Sequence, residues 1–198
     1  MPLNSSNLPP RSMGRPPGVT YAISNTGPLI SAFQSNSFAL LTRVFARIYV
    51  PMTCVAELAK HGWQEEVQAA TPQLAAMILT ENEDERAMAC AREIAQQPDS
   101  GDPVAENHLG EAQAIVLALR PEYHTDLLLL DESAARAVAH KMWLRLSGFP
   151  GALLLATRLG LISAEELQER LETCRQKGTH YGVKFIQEVY GMAQQGRR

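Results

Sequence analysis

The sequence predicts one α/β domain built on a doubly wound, five-stranded parallel sheet and followed by a C-terminal helical hairpin. Five short apolar segments alternate with helical segments, which is the pattern of consecutive βα units. One of them, Leu127–Leu130, is an unbroken apolar run, which is typical of a strand buried on both faces, although a buried helical segment can share this composition. The length of 198 residues suits a single medium domain with a core and an extension.

Composition and charge exclude several classes of protein. A formal net charge of -3 and a pI near 6.0 argue against binding to nucleic acid through global charge, so any RNA contact must depend on a local basic patch. The three cysteines are widely spaced and form no CxxC motif, which indicates neither a disulfide framework nor a zinc knuckle and predicts a reducing, cytoplasmic location. No apolar stretch approaches the length of a membrane span.

The chain divides into three parts by composition. Residues 1–19 are rich in Pro, Ser and Asn and predict a disordered leader, since they cannot bury enough apolar surface to order themselves. Residues 20–162 contain the alternating strands and helices. In residues 163–198, Ser163 and Glu166 form a capping-box pattern that opens a helical hairpin, whose apolar stripe must dock on the domain or on another chain.

Two polar side chains directly follow predicted strands. Asn25 comes after the strand Tyr21–Ile23, and Asp131 comes after Leu127–Leu130. The carboxyl ends of parallel strands form the edge of a sheet where ligands and metal ions bind. Each residue also suits the N-cap of the helix that follows it, which is the alternative explanation for both positions.

Two glutamates lie near the starts of predicted helices. Glu57 falls in the first turn of a helix that begins at Thr53, after the strand Ile48–Pro51, and the helix dipole alone could account for it. Glu111 lies in the first turn of the helix 109–119, which is apolar almost all round and is therefore expected to be buried. A buried carboxylate needs a raised pKa or a cation, so Glu111 is the more informative of the two.

The remaining segments complete the alternation of strands and helices. The loop 98–107, rich in Pro, Gly and Asp, is predicted to be a mobile lip over a cleft. The other predicted elements are a helix at 38–46, a strand at 75–80, an amphipathic helix at 81–97, a helix at 133–141, a strand at 144–148 and a helix at 151–159.

Four short motifs occur in order along the chain, and no single one is decisive. They are Ile23-Ser24-Asn25-Thr26-Gly27-Pro28-Leu29-Ile30, Gly110-Glu111-Ala112-Gln113-Ala114-Ile115, Leu129-Leu130-Asp131-Glu132 with Ala135-Arg136, and residues 148–162. Together these motifs resemble the PIN-domain family over roughly residues 21–162. The resemblance is closest to the prokaryotic branch whose first motif reads Ser-Asn-Thr/Ser-x-Pro-Leu.

The resemblance implies a three-layer α/β/α PIN-like fold and an endoribonuclease of the toxin type, similar to VapC-like proteins. The implied cofactor is Mg²⁺ or Mn²⁺, and the implied partners are RNA, an antitoxin protein and a second copy of the chain. The four acidic positions of the family fall on Asn25, Glu57, Glu111 and Asp131 as metal ligands, with catalysis assigned to the last three.

Elementary electrostatics agrees with this assignment. Two carboxylates about 4 Å apart repel by roughly 4 kcal/mol at an effective dielectric near 20, so a cluster of three needs a cation or bound protons. Oxygen-only ligands favour Mg²⁺ or Mn²⁺ over zinc, and the five histidines are interpreted as incidental because they form no HExxH-type pair. The candidate substrate contacts are Thr26 and Arg136, and a surface ion pair with Glu132 is the alternative for Arg136.

Asn25 departs from the family pattern because it replaces an anionic ligand with a neutral one. An amide can still coordinate through its carbonyl oxygen, so we expect weaker metal binding and lower activity. This supports an alternative function, a weak or inactive PIN domain that binds RNA or a partner protein. A third hypothesis, an unrelated phosphotransfer protein, is disfavoured because Asn25 is a poor nucleophile.

Overall fold

A five-stranded parallel sheet forms the centre of the protein. A computed structural model describes residues 20–70, 73–123 and 126–196, and the predicted leader lies outside these ranges. The strand order is β3-β2-β1-β4-β5. The strands are β1 Tyr21–Ser24, β2 Arg47–Pro51, β3 Leu74–Met77, β4 Leu127–Leu129 and β5 Arg145–Ser147.

The strand order places a topological switch beside the central strand. Ile23 in β1 pairs with Tyr49 on one side and with Leu128 on the other, and every pairing is parallel. From β1 the chain adds β2 and β3 outward, then returns to add β4 and β5 on the opposite side. Open α/β sheets bind ligands in the crevice outside the carboxyl ends of the strands at such a switch. Asn25 and Asp131 are the residues that leave β1 and β4 there.

Helices cover both faces of the sheet. Ala22 and Leu129 point into the core formed with α1, α2 and α8, whereas the neighbouring residues Ile23 and Leu128 point into the core formed with α5, α6 and α7. This confirms the three-layer α/β/α fold. The helices are α1 Thr26–Gln34, α2 Phe38–Val44, α3 Met52–Lys60, α4 Gln64–Ala69, α5 Glu81–Ala95, α6 Leu109–Ala118, α7 Ser133–Lys141, α8 Phe149–Arg158, α9 Ala164–Gln176 and α10 Val183–Gln195, with a 3₁₀ turn at Ala105–His108.

The C-terminal hairpin docks on the domain. Leu171 in α9 and Ile186 and Val189 in α10 are buried in the same core as α1 and α8. The capping box of Ser163 and Glu166 opens α9 as the sequence predicts. The hairpin therefore packs on the domain through Ile186 and Val189, whereas Val183 of the predicted apolar stripe stays exposed. None of the helices in the described ranges is long and apolar enough to cross a bilayer.

Two details differ from the sequence-based expectations. Helix α4 was not predicted, because its six residues bury no side chain and show no apolar periodicity. Helix α3 begins at Met52, so Glu57 lies in its second turn, and the dipole explanation for that glutamate is wrong.

The ion pair between Glu83 and Arg120 is expected to contribute to stability above acidic pH. Arg120 donates to both carboxylate oxygens of Glu83, at 2.6 and 2.8 Å, and mainly this contact lowers the pKa of Glu83 from 4.5 to about 2. Arg120→Met should cost about 1 to 3 kcal/mol at neutral pH. A carboxyl group whose pKa is lowered in the folded state stabilises the fold only at pH values above the lowered pKa. The difference in unfolding free energy between wild type and Arg120→Met should therefore shrink as the pH falls from about 4.5 through about 2.

Urea unfolding of wild type and Arg120→Met at a series of pH values measures this difference. Arg92→Met, an exposed arginine in the last turn of α5, is the matched control and should stay within about 0.5 kcal/mol of wild type. A difference that is the same at about pH 3 and about pH 7 contradicts the prediction.

Candidate metal centre at the carboxyl edge of the sheet

Asn25 and Glu111 are in direct contact at the end of β1. The side-chain Nδ2 of Asn25 donates to Glu111 Oε1 at 2.8 Å. Asn25 is only 2% exposed, and its Oδ1 is buried without a hydrogen-bond partner. Its side chain makes no N-cap bond to α1, so the capping explanation for this residue is wrong. The amide instead faces Glu111, a partly buried glutamate of α6.

Thr26 and Glu57 form a second contact beside the first. The Thr26 hydroxyl donates to Glu57 Oε2 at 2.5 Å. The same oxygen lies 3.5 Å from the position that a Cβ on Gly110 would take, next to Glu111. Glu57 is therefore brought to the amino end of α6. Thr26 acts here as a donor that orients a carboxylate, and its predicted contact with substrate stays a prediction.

Asp131 lies at the same sheet edge but has its own hydrogen-bond partners. Its Oδ1 accepts from the backbone N–H of Phe149 at 3.0 Å, and its Oδ2 accepts from the Tyr181 hydroxyl at 3.2 Å. Its carboxylate makes no capping bond at the start of α7, so the capping explanation is wrong for this residue too. Asp131 instead caps the first turn of α8. Burial raises the pKa of Asp131, while the bonds from Phe149 and Tyr181 and the charge of Arg136 lower it.

His108 and Glu132 join Glu111 in a group that the sequence analysis missed. His108 Nδ1 lies 3.4 Å from Glu132 Oε1. Within the described ranges, one set of acidic and histidine side chains has ligand atoms all within 4.8 Å of one another, and it is His108, Glu111 and Glu132. His108 is therefore a further candidate ligand, and the interpretation of the histidines as incidental stays a prediction. The His108-x-x-Glu111 spacing, which places both side chains on one side of a helical turn, was the available signal.

The predicted ligands are only partly gathered. Asn25 contacts Glu111, and Glu57 lies beside them through Thr26, but Glu57 and Asp131 do not belong to the group within 4.8 Å. The roles of Glu57, Glu111 and Asp131 as ligands and in catalysis stay predictions. What the structure adds is a compact subset around Glu111.

The chemistry of this subset fits a divalent cation. Burial raises the pKa of Glu111, and the charges of Glu132 and Glu57 raise it further. The hydrogen bond from Asn25 lowers this pKa but does not outweigh the other effects. The unpartnered Oδ1 of Asn25 is an additional neutral oxygen donor in the same place. A cation would relieve both the repulsion and the unmet acceptor.

Arg136 supports the sheet edge and does not pair with Glu132. Its Nη1 donates to the carbonyl oxygens of Leu130 at 2.8 Å and Ser147 at 2.9 Å. These carbonyls terminate β4 and β5, so the guanidinium ties the two strand ends together. The alternative of an Arg136–Glu132 ion pair is thus wrong, because Glu132 faces His108. Whether Arg136 also contacts a phosphate stays a prediction.

The comparison with protein families decides the classification. The model of the DUF3368 family, a PIN domain, matches residues 21–195. The chain belongs to the PIN-domain family. Neither a search of curated proteins nor a search of solved structures gave a significant match. PIN domains are generally metal-dependent nucleases, and in this one the family match includes the C-terminal hairpin.

Gly148 is required for the position of Asp131 in this PIN domain. A Cβ at Gly148 would lie 2.2 Å from Asp131 Oδ1, which no real contact allows. Gly148→Ala should therefore displace the carboxylate, break its bond to Phe149 and cost about 1 to 3 kcal/mol in urea unfolding. Gly191→Ala, in α10 where a Cβ meets nothing within 4 Å, is the control and should gain up to about 1 kcal/mol. Equal effects at both glycines contradict the prediction.

Tyr181 connects the hairpin of the PIN domain to Asp131. Its hydroxyl donates to Asp131 and contacts Ser31 Oγ at 3.1 Å, and the ring is only 9% exposed. Tyr181→Phe removes a hydrogen bond to a charged group and should cost about 1.5 to 3 kcal/mol in urea unfolding.

The control for Tyr181 lies on the same hairpin. Tyr190→Phe removes a hydroxyl that bonds to exposed Glu165, and it should cost less than about 0.5 kcal/mol. If Tyr181→Phe lowers the free energy of unfolding no more than Tyr190→Phe does, the Tyr181 hydroxyl does not hold Asp131 in place.

Proposed function

We propose that this PIN domain is an Mg²⁺- or Mn²⁺-dependent endoribonuclease that hydrolyses RNA phosphodiesters, and that it is the toxin of a toxin–antitoxin pair. The observation that carries the nuclease proposal is the contact of Asn25 with partly buried Glu111 at the carboxyl edge of the sheet, beside Glu57 and Glu132. This is the edge that a doubly wound sheet uses for ligands.

The residues of the chain have separable tasks in this proposal. Asn25, Glu57, Glu111 and Asp131 would hold the cation, which would supply positive charge to offset the phosphodiester and to acidify an attacking water. Thr26 orients Glu57 through its hydroxyl. Asn25 orients Glu111 through its amide N–H, so this carboxylate is fixed before substrate arrives.

Asp131 borders a cavity that could admit the substrate. The cavity has a volume of about 530 Å³ and is lined by Asp131, Ser133, Arg136 and His180 among others. The charge of Arg136 acts on Asp131, so a cationic side chain lies beside the sheet edge. A phosphodiester entering here would meet positive charge next to the carboxylates, which supports Arg136 as a substrate contact.

Cys54 lies near the site but is not expected to act as a nucleophile. Its Sγ donates to the Gly110 carbonyl at 3.6 Å, and it is fully buried. Burial raises the pKa of the Cys54 thiol to about 12, so the thiolate is scarce at neutral pH. The proposal therefore has water as the nucleophile.

Cleavage of a structured RNA by the purified full chain tests the nuclease proposal. We expect cleavage with Mg²⁺ or Mn²⁺, none with EDTA, and loss in Asp131→Ala. Glu169→Gln, an exposed acid of α9, should cleave like wild type. RNA that is bound but not cut with either ion would overturn the nuclease proposal and support the alternative of an RNA-binding module.

The toxin role needs a separate experiment in cells. Induced expression in a bacterial host should slow growth, and the Asp131→Ala variant expressed to the same level should not. A small DNA-binding protein encoded by the neighbouring reading frame should restore growth when it is co-expressed. Equal growth with both forms of the chain would refute the toxin role while leaving the nuclease proposal intact.

A further inference from the structure

The ring of His108 is held in one orientation at the start of α6. His108 ends the 3₁₀ turn and is 4% exposed. Its Nε2 lies 2.9 Å from the backbone carbonyl of Asp102 and 3.1 Å from Ser100 Oγ. Because a carbonyl only accepts, Nε2 must carry a hydrogen, and in the neutral ring Nδ1 is then a bare lone pair. The orientation of the ring thus selects Nδ1 as the available ligand atom.

The Nδ1 atom of His108 faces carboxylates. Nδ1 lies 3.4 Å from Glu132 Oε1, and ligand atoms of His108, Glu111 and Glu132 are all within 4.8 Å of one another. Three electron-pair donors that face one another repel unless a proton or a cation lies between them. A histidine whose other ring N–H donates to a backbone carbonyl is also the usual arrangement of a metal-binding imidazole.

A second observation comes from Asn25, which follows β1 and contacts Glu111. Asn25 is 2% exposed, and its amide is aimed at Glu111 through the bond from Nδ2. The Oδ1 of the same amide is buried without a partner, which typically costs about 1 to 3 kcal/mol. An oxygen acceptor left without a donor is satisfied by a cation, and amide carbonyls are common ligands of divalent ions.

We propose that His108, Glu111 and Glu132 form a cation site with one nitrogen ligand, which selects a first-row transition-metal ion over Mg²⁺. Imidazole is a poor ligand for Mg²⁺, which prefers oxygen and keeps several waters, whereas the transition metals accept it. The inference rests on the proposed function in one respect, because Glu111 is a ligand of both the proposed nuclease site and this site. It differs from the oxygen-only site that the sequence predicts, because two of its three ligands are residues outside the four family positions.

Equilibrium binding of metal ions to the full chain without RNA tests this site. Mn²⁺ is the probe, and its free concentration is measured by electron paramagnetic resonance. Mg²⁺ binding is measured by its competition with Mn²⁺. We expect Mn²⁺ to bind at least about tenfold more tightly than Mg²⁺. Glu132→Gln and His108→Ala should each weaken Mn²⁺ by about 10- to 100-fold, since even removing a partner of a ligand has that effect. Mg²⁺ binding should change much less in His108→Ala.

The controls separate a metal site from a folding defect. His140→Ala, an exposed histidine in the last turn of α7, should bind both ions like wild type. If His108→Ala fails to fold, the isosteric Glu132→Gln decides, because Glu132 is partly exposed and makes no capping bond. Mn²⁺ binding that is unchanged in Glu132→Gln, or no preference over Mg²⁺ in wild type, overturns the proposal.

The outcome is distinguishable from that of the nuclease proposal. Mn²⁺ selectivity that depends on Glu132, without RNA cleavage, supports the cation site and refutes the nuclease. RNA cleavage in Mg²⁺ that is equal to cleavage in Mn²⁺, with binding indifferent to His108 and Glu132, supports the nuclease and refutes this site.

Discussion

Glu111→Gln is expected to lower metal-dependent RNA cleavage by at least about 100-fold while leaving the fold as stable as wild type or more stable. Charge stabilisation by a bound cation is worth several kcal/mol, and each 1.4 kcal/mol is about tenfold in rate. Glutamine keeps the oxygen that accepts from Asn25. It removes a buried charge whose pKa is raised by burial and by the charges of Glu132 and Glu57, so the metal-free protein loses a repulsion.

The opposite signs of these two effects make the Glu111 prediction specific. Cleavage rates at saturating Mn²⁺ and urea unfolding in EDTA are measured on the same preparation. Glu169→Gln is the matched control, since it makes the same chemical change on the exposed face of α9. A variant that loses cleavage because it unfolds contradicts the account, and so does one that keeps wild-type cleavage.

Asn25→Asp is expected to destabilise the metal-free protein by about 2 to 4 kcal/mol and to strengthen metal binding by about tenfold or more. The amide N–H that now donates to Glu111 at 2.8 Å would become a carboxylate oxygen. Two carboxylates about 4 Å apart repel by about 4 kcal/mol at an effective dielectric near 20, unless they share a proton or bind a cation. Saturating Mn²⁺ should therefore restore the stability, and RNA cleavage should rise above that of wild type.

Urea unfolding with EDTA and with Mn²⁺ measures the effect at Asn25. Asn82→Asp introduces the same charge in the first turn of α5, where it is exposed and favoured by the helix dipole, so it should be neutral or slightly stabilising in both conditions. If Asn25→Asp is as stable as wild type in EDTA, the two side chains are not in the contact described here. If Mn²⁺ does not rescue it, the contact is not a metal site.

Local patterns were sufficient to predict the sheet. The apolar run Leu127–Leu130 and the shorter runs before Asn25 and after Ala46 carry the strand signal in their own residues, and the alternation of such segments with helices predicted the five-stranded parallel sheet. The three-layer arrangement was what the family resemblance implied. The burial of α6 from Ala112 to Ala118 also followed from its apolar sequence, whereas Glu111 itself is only partly buried.

Contacts between distant segments were not predictable from local patterns. Tyr181 reaches Asp131 from 50 residues away, and the position of its hydroxyl depends on how the hairpin docks. His108 lies near Glu132 only because α6 and the end of β4 meet at the topological switch. The first turn of α3 was displaced by one residue in the prediction, which is enough to move Glu57 to the next turn, since helix boundaries carry a weak signal.

The end groups of RNA cut by the wild-type protein in Mn²⁺ test most directly whether this sheet edge is a metal-dependent hydrolytic site. Attack by water on the phosphodiester leaves a phosphate monoester on one product and a hydroxyl on the other, whereas attack by the neighbouring 2′-hydroxyl leaves a 2′,3′-cyclic phosphate. The account predicts linear phosphate ends that form with Mn²⁺ and do not form with EDTA or in Glu111→Gln. Cyclic phosphate ends that persist in EDTA would contradict it.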